Sequence, residues 1–295
     1  MAEPRTYATA AAFRQALESR LSDRARAETL DVQRIYRMAA FERFLGRACA
    51  DDPPRWILKG GYALEVRLRM AARATMDVDL SLPDGSVIAP EGQARPDRLL
   101  EQLRAAAAMD LGDWFEFKIG DPIRELAAAP YGGWRFHVES RVADRRFTDF
   151  KLDVAIGDAI VSAPEWMQGH DLLSFANIPP ARIALLPREQ HFAEKIHAYS
   201  LPRDTVNSRV RDLVDLVLLI QKGLPEAAKV REAVEATFKR RKTHPVPEML
   251  QAPPSDWTKA YQGTAGQVGL EPAEIGAAFG LLRDYWNGLN FGEEG

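Results

Sequence analysis

Residues 76–82 (MDVDLSL) alternate between apolar and polar side chains without exception. Successive side chains of a β-strand point to opposite faces, so Asp77, Asp79 and Ser81 share one face and the apolar residues share the other. This segment therefore predicts a strand that packs one face into a hydrophobic core and carries two carboxylates on its other face.

A second alternating segment predicts another strand at 147–156. Its apolar residues at 150, 152, 154 and 156 alternate with Asp149, Lys151, Asp153 and Ala155. Short segments of β character, one buried and two with aromatic and β-branched residues, occupy 56–58, 114–119 and 134–142. These segments predict a central mixed sheet.

Helical periodicity covers most of the remaining chain. Apolar residues recur at three- and four-residue intervals in 10–21, 27–50, 62–72, 96–109, 187–201, 208–222, 225–242 and 272–289. The predicted class is α+β (mixed α/β), with a sheet flanked by helices and a helical C-terminal half. We expect a helical lead at 1–54, a core with the mixed sheet at 55–186 and a helical domain at 187–295.

Composition restricts the classes of function. The 295 residues include 39 Lys and Arg against 42 Asp and Glu, a net charge of −3, so a nucleic-acid partner requires a local basic patch. The single cysteine, Cys49, excludes an intrachain disulfide and a cysteine-rich zinc site. The first residues lack the long apolar stretch of a secretory signal, so we expect none, and the longest apolar run, 213–220, is interrupted by Asp215. We expect a cytoplasmic protein without a membrane partner.

The two strand carboxylates predict a metal site. Asp77 and Asp79, separated by one residue on one face, repel each other unless a cation lies between them. Mg²⁺, with Mn²⁺ as the alternative, prefers such oxygen ligands together with substrate phosphates. Asp153, on the polar face of its own strand, is the candidate third ligand.

A Gly60-Gly61 turn between a strand and a helix adds a phosphate-binding element. Glycine lets the backbone approach an anion, and N–H groups at a helix start point at phosphate. Lys59 and Arg73 can neutralise a triphosphate, and Thr75 can place a hydroxyl beside the carboxylates. Each piece alone also occurs as a plain turn or a solvated polar face, but their combination favours a metal–phosphate site.

The sequences LKGGYALEVRL (58–68) and RATMDVDLSL (73–82) resemble the active-site unit of the DNA polymerase β-like nucleotidyltransferases. Within that superfamily they are most similar to the AbiEii/AbiGii toxin group, which includes the mycobacterial MenT toxins. The resemblance continues in FAEKIHA (192–198) and RVRDLVDL (209–216). By this resemblance Lys195 and Asp212 join Asp77, Asp79 and Thr75 at the site. Gly61 departs from the family's common Gly-Ser, which removes one phosphate-binding hydroxyl.

The resemblance implies a Mg²⁺-dependent enzyme that transfers a nucleoside monophosphate from an NTP to RNA, at the 3′ end of tRNA. It further implies a toxin of a toxin–antitoxin or phage-defence system, with a cognate antitoxin protein as partner. Two alternatives stay open: a transferase acting on a protein or small-molecule hydroxyl, and a nucleotide-binding module without transfer activity.

Other polar residues allow simpler interpretations. Lys195 lies at the edge of an apolar stripe and can extend to solvent, while Arg211 and Asp215 have the spacing of a helical ion pair or of supports for the site. The five histidines lack a zinc-ligand spacing. Basic clusters that could follow a nucleic-acid backbone are Arg67/Arg69/Arg73, Arg141/Arg145/Arg146 and residues 239–242.

Overall fold

The predicted strands lie in one mixed sheet, which confirms the mixed α/β class. The structure is a computed structural model that describes residues 7–69, 72–83, 85, 95–126, 129–202 and 209–291. It divides into two compact units, each treated separately below. The first comprises Met1–Val66, Ala74–Gly157 and Glu165–Leu185, and the second comprises Arg67–Arg73, Asp158–Pro164 and Leu186–Gly295. The first unit thus draws residues from both the predicted helical lead and the predicted core.

The sheet occupies the first unit. Its strands are β1 (Ile57–Lys59), β2 (Asp77–Leu82), β3 (Phe115–Ile119), β4 (Arg124–Glu125), β5 (Gly133–Val142), β6 (Arg145–Ile156), β7 (Glu165–Gln168) and β8 (Arg182–Leu185). Their spatial order is β3-β5-β6-β2-β1-β8-β7, and β4 pairs with β5. β2 runs parallel to β6 and antiparallel to β1, so the two alternating segments are direct neighbours.

Helices α1 (Ala10–Ala27), α2 (Val32–Ala48), α3 (Gly60–Leu68) and α4 (Pro96–Ala107) complete this unit, except that the last two residues of α3 belong to the second. The apolar face of the sheet packs on α2, where Phe41 and Phe44 contact Phe150 edge to face, with ring centroids 5.0 and 5.7 Å apart. Each fully buried Phe stabilises the fold by roughly 1.5–3 kcal/mol. Packing on α2 thus leaves the polar strand positions on the opposite face.

A buried ion network joins α2 to the start of β3. Asp113 accepts hydrogen bonds from Arg43 Nε at 2.7 Å and from Arg47 Nη2 at 2.6 Å. Burial alone would raise the pKa of Asp113, but the two guanidinium groups outweigh it and hold the pKa below its ordinary value. The network satisfies charges that would otherwise be costly to bury.

Several short elements lie outside the predicted ones. The strands β4, β7 and β8 have two to four residues each, too few to show a periodicity. The strand β2 starts at Asp77 instead of Met76, whose side chain is 66% exposed instead of joining the apolar face. The predicted helix start at residue 208 lies outside the described residues.

The second unit is helical. It contains α5 (Arg188–Ser200), α6 (Val210–Gln221), α7 (Ala227–Arg241), α8 (Thr258–Gln267) and α9 (Ile275–Asn287). Helix α5 packs against α6 and α7, and α6 packs against α8 and α9. Helix α8 has no predicted counterpart, because its sequence TKAYQGTAGQ buries only Tyr261 and Ala265. In the described part of the chain, no helix has both the length and the hydropathy needed to cross a membrane.

His197 gives the helix that carries Lys195 a pH-dependent anchor. Its ring is 3% exposed, hydrogen-bonds Thr243 Oγ1 at 2.8 Å and packs on Phe238. Burial, aided by the positive charge of Arg241 and by His244, lowers the pKa of His197 from 6.5 to about 3. His197 is therefore neutral in the folded protein at ordinary pH.

Lowering the pH from about 7 to about 5 should reduce the free energy of unfolding of the wild type more than that of the His197→Phe variant. The unfolded chain binds a proton at His197 below about pH 6.5 and the folded chain does not, so this stability is lost as pH falls. The contribution of one such group reaches at most about 1.4 kcal/mol per pH unit. Urea unfolding across this range measures it, with the half-exposed His137→Gln as control. Equal pH slopes for His197→Phe and the wild type would contradict the prediction.

Candidate active site

Four charged residues in direct register, two carboxylates with a cation at each end, form a row across the polar face of the sheet. Lys59 on β1 is opposite Asp79 on β2, Asp79 is opposite Asp153 on β6, and Asp153 is opposite Arg135 on β5. Registered residues of neighbouring strands project to the same face. We call this set, Lys59, Asp79, Asp153 and Arg135, the charge row.

Asp77 lies on the same face, two residues before Asp79 on β2 and opposite Lys151. Asp77, Asp79 and Asp153 are all half-buried, whereas Lys59 is 8% exposed. The alternation of β2 and β6 therefore brings the three predicted carboxylates to one face of two adjacent strands.

Arg135 engages both oxygens of Asp153. Its Nε and Nη2 donate to Asp153 Oδ1 and Oδ2, each at 2.6 Å, in a two-pronged ion pair. The hydrogen bond and charge of Asp153, and then the charges of Asp77 and Asp79, raise the pKa of Arg135 despite its burial. All three carboxylates thus act on one guanidinium group.

The residues present fit a divalent cation at Asp77 and Asp79. Both supply the hard oxygen donors that Mg²⁺ prefers, and both are partly accessible on the polar face. Asp153, by contrast, is bound by Arg135. Within the described ranges, no three His, Cys, Asp or Glu side chains converge as a metal-binding group. The predicted set of Asp77, Asp79 and Asp153 is therefore not assembled around one point here.

Gly60 is required at the end of β1 for two reasons. Its φ is +64°, in the left-handed region that favours glycine, and a Cβ built on it would overlap the carboxylate of Asp79. Helix α3 begins at this residue and Gly61 is buried at its first turn. The Gly60-Gly61 turn thus brings the start of α3 against a metal-ligand candidate, as a phosphate-binding turn requires.

Thr75 is held just before β2 by its backbone. Its hydroxyl donates to Asp77 O at 3.4 Å, and its backbone hydrogen-bonds the buried carboxylate of Glu65. Glu65 also pairs with Arg34 Nη2 at 2.5 Å, yet burial is the larger effect and raises the pKa of Glu65. The Arg34–Glu65 pair therefore supports the segment that enters β2, a role that the sequence did not indicate.

The second unit contains a separate buried charge network made of Lys195, Asp212, Asp215 and Arg73. Lys195 Nζ lies 2.8 Å from Asp212 Oδ1 and 2.7 Å from Asp215 Oδ2. Arg73 donates to both oxygens of Asp215, at 3.1 and 2.9 Å. The side chain of Asp215 is 0% exposed, and those of Lys195 and Arg73 are 12% and 11% exposed. Three predicted site residues, Arg73, Lys195 and Asp212, therefore meet around Asp215.

The network fixes the charge states of Lys195 and Asp215. Burial alone would lower the pKa of Lys195, but the charges of Asp212 and Asp215 outweigh it and raise the pKa above its ordinary value. Burial alone would raise the pKa of Asp215, but Lys195 and Arg73 outweigh it and lower that pKa. Lys195 is thus a permanent cation and Asp215 a permanent anion at neutral pH.

Two simpler sequence interpretations do not hold in this unit. Lys195 is turned inward to the two carboxylates and does not extend to solvent. Asp215 binds Arg73 and Lys195 instead of Arg211, which is exposed, so the helical ion pair is replaced by a long-range one. The sequence also suggested that Asp215 supports the site, and its ion pairs with Arg73 and Lys195 identify the residues that it can hold in place.

The basic clusters are largely engaged within the protein. Arg141 pairs with Glu139, Arg146 pairs with Asp149, and Arg67 donates to Leu186 O. Arg241 binds Asp158 and Glu194, at 3.0 and 3.5 Å. Arg141, Arg146 and Arg241 neutralise local acids, which weakens the interpretation of the clusters as a nucleic-acid surface.

A carboxylate pair on a strand beside a strand–Gly-Gly–helix turn is an arrangement that fits the class of the nucleotidyltransferases. The family model described as nucleotidyl transferase AbiEii toxin, type IV toxin–antitoxin system, matches residues 43–280. The chain therefore belongs to the AbiEii nucleotidyltransferase toxin family and is a nucleotidyltransferase, as the sequence resemblance implied.

A solved structure shows the same fold. The nucleotidyltransferase toxin MenT4 from Mycobacterium tuberculosis H37Rv matches with a TM-score of 0.57 and 15% sequence identity, over 95% of this chain and 90% of that one. At this identity the likeness establishes the fold alone. A search of curated protein sequences gives no match. Family membership also implies an NTP substrate, a divalent metal and an antitoxin partner.

Proposed function

We propose that this toxin transfers a nucleoside monophosphate from an NTP to the 3′ end of tRNA in a Mg²⁺-dependent reaction, and so blocks translation. The observation that carries the catalytic part is the pair Asp77 and Asp79 on the polar face of β2, with Asp79 against the Gly60 turn. The tRNA acceptor follows from the family resemblance. The acceptor hydroxyl oxygen bonds to the α-phosphorus while the bond to the β-phosphate breaks, and pyrophosphate leaves.

In this proposal Asp77 and Asp79 hold the divalent ion, with Asp153 as the third ligand. When bound, the ion would neutralise the charge that develops on the phosphates and would lower the pKa of the acceptor hydroxyl. The Gly60-Gly61 turn donates backbone N–H groups to phosphate at the start of α3. Lys59, at the end of the charge row, adds a positive charge beside Asp79.

Thr75, Arg73, Lys195 and Asp212 are proposed to bind the nucleotide or the reacting groups. Arg73 and Lys195 are held by Asp215 and remain charged, so they can attract phosphate without first being ordered. The hydroxyl of Thr75 supplies the group that Gly61 lacks. Substituting Lys195 or Asp212 should lower the rate of nucleotidyl transfer without altering which RNA accepts the nucleotide.

A labelling experiment tests the proposal. The purified protein is incubated with each radiolabelled NTP and Mg²⁺, with total RNA, with tRNA and without RNA. Label on tRNA that disappears with a chelator and with Asp77→Asn supports the proposed reaction. Label on protein or on a small molecule only would favour the other acceptor classes, and no transfer to any acceptor would favour a nucleotide-binding module.

Gly60→Ala should abolish nucleotidyl transfer, although the protein still folds with a reduced free energy of unfolding. Placing a non-glycine residue in the left-handed region costs about 1–2 kcal/mol, and the added Cβ must also displace the Asp79 carboxylate. Gly223→Ala is the matched control, since Gly223 has φ +89° but nothing within 4 Å of the added Cβ. Urea unfolding and the labelling assay measure the two effects. Equal activity in the two variants would show that Asp79 tolerates displacement.

A further inference from the structure

Arg135 was not among the predicted site residues, yet it contacts one of them directly. Its guanidinium group binds both oxygens of Asp153 at 2.6 Å and lies close enough to Asp77 and Asp79 for their charges to raise its pKa. The two side chains of this pair are 20% and 15% exposed, so solvent and ions can reach the pair. Arg135 thus offsets one of the negative charges on the acidic face of β2 and β6.

The geometry of the Arg135–Asp153 pair allows one oxygen of Asp153 to exchange its hydrogen bond with Arg135 for a metal ion. An ionised carboxylate has about four lone-pair positions, and a two-pronged arginine uses two of them. Asp153 is in register with Asp79 across parallel strands, so its carboxylate lies on the same face as the proposed metal ligands. Asp153 can therefore keep one hydrogen bond to Arg135 while its other oxygen turns to a metal ion.

We propose that Arg135 is a positioning residue that holds Asp153 as its counter-ion and gives up one Asp153 oxygen when a divalent cation binds at Asp77 and Asp79. This inference rests on the proposed metal site and adds a residue to it. Arg135 and the metal ion then compete for the same oxygen. Before metal binds, the ion pair offsets one negative charge of the acidic face, and the competition then weakens the affinity for the ion.

Mn²⁺ titration of the purified protein, followed by calorimetry and by the electron paramagnetic resonance signal of free Mn²⁺, tests the exchange. We expect Arg135→Gln to tighten Mn²⁺ binding about tenfold, because one charge-assisted hydrogen bond no longer competes. Asp153→Asn should weaken binding by a similar factor. Arg135→Lys, which keeps the charge and loses the two-pronged geometry, should give an intermediate affinity.

The double variant, Arg135→Gln with Asp153→Asn, distinguishes an exchange at the Asp153 carboxylate from the loss of the positive charge of Arg135. If Arg135 acts through Asp153, adding Arg135→Gln to Asp153→Asn changes the Mn²⁺ affinity by less than about threefold, since the shared oxygen is gone. An equal tightening in both backgrounds would overturn the proposal, because it would reflect only the lost positive charge. Unchanged affinity in both single variants would overturn it too.

Thermal unfolding gives a second readout that does not depend on catalysis. Without metal, Arg135→Gln should lower the unfolding temperature, because Asp153 loses its ion-pair partner, and saturating Mn²⁺ should raise that temperature more than it does in wild type. Binding that Asp77→Asn abolishes but Arg135→Gln leaves unchanged would refute this inference and leave the proposed function intact. Absence of Mn²⁺ binding to the wild type would refute both.

Discussion

Replacing Asp77 by Asn is expected to lower nucleotidyl transfer by about a thousandfold or more while leaving the fold intact. Asp77 is half-buried beside Asp79 on the same face of β2, and its carboxylate is a proposed metal ligand. Asparagine keeps the shape and removes the charge that binds the ion. Because like charges crowd this face, removing one of them should not destabilise the protein.

Asp149→Asn is the matched control for this prediction. Asp149 is on β6, on the same polar face, but it pairs with Arg146 and lies four residues before Asp153. We expect it to retain full transfer activity. Label transfer from NTP to RNA measures the activities, and circular dichroism with thermal unfolding checks the fold. Wild-type activity in Asp77→Asn would refute the proposed mechanism.

Replacing Asp215 by Asn is expected to destabilise the protein by about 3–5 kcal/mol. Asp215 is fully buried and binds both Arg73 and Lys195, so its loss leaves two buried cations with Asp212 as the remaining carboxylate of the network. The cost comes from uncompensated charge, since the side-chain volume is unchanged. The free energy of unfolding in urea measures the effect.

Two comparisons make this second prediction specific. Asp284→Asn removes an exposed pair with Arg283 and should cost less than about 1 kcal/mol. Adding Lys195→Met to Asp215→Asn should cost less than the sum of the two single changes, because it removes one of the unpaired cations. Destabilisation of Asp215→Asn no larger than that of Asp284→Asn would mean that the network does not stabilise the fold.

The polar face of the sheet could be predicted because alternation of period two is a strong local signal. The faces of Asp77, Asp79 and Asp153 follow from their own strands, whatever the pairing. The register could not be predicted, since sliding a strand by two residues preserves its faces but changes which residues are opposite. Arg135 was missed for this reason: its role depends on being opposite Asp153.

The partners of Asp215 show a second limit of the sequence. Its helical spacing to Arg211 favours a local ion pair, and nothing in the chain indicates Arg73, 142 residues away. Only the fold of the second unit brings them together. The short strands β7 and β8 were missed because four residues give no periodicity, although β8 pairs with β1 directly.

Two adjacent residues of opposite charge, Glu194 and Lys195, hold helix α5 in place through ion pairs. Glu194 binds Arg241, which is anchored to Asp158, while Lys195 binds Asp212 and Asp215. Rotation of the helix in either sense would break one of these attachments. The ammonium group of Lys195 is consequently a fixed point of charge and not a flexible arm. In the proposed function it would therefore select phosphates by where their negative charge already lies, because it cannot move to follow a differently shaped ligand.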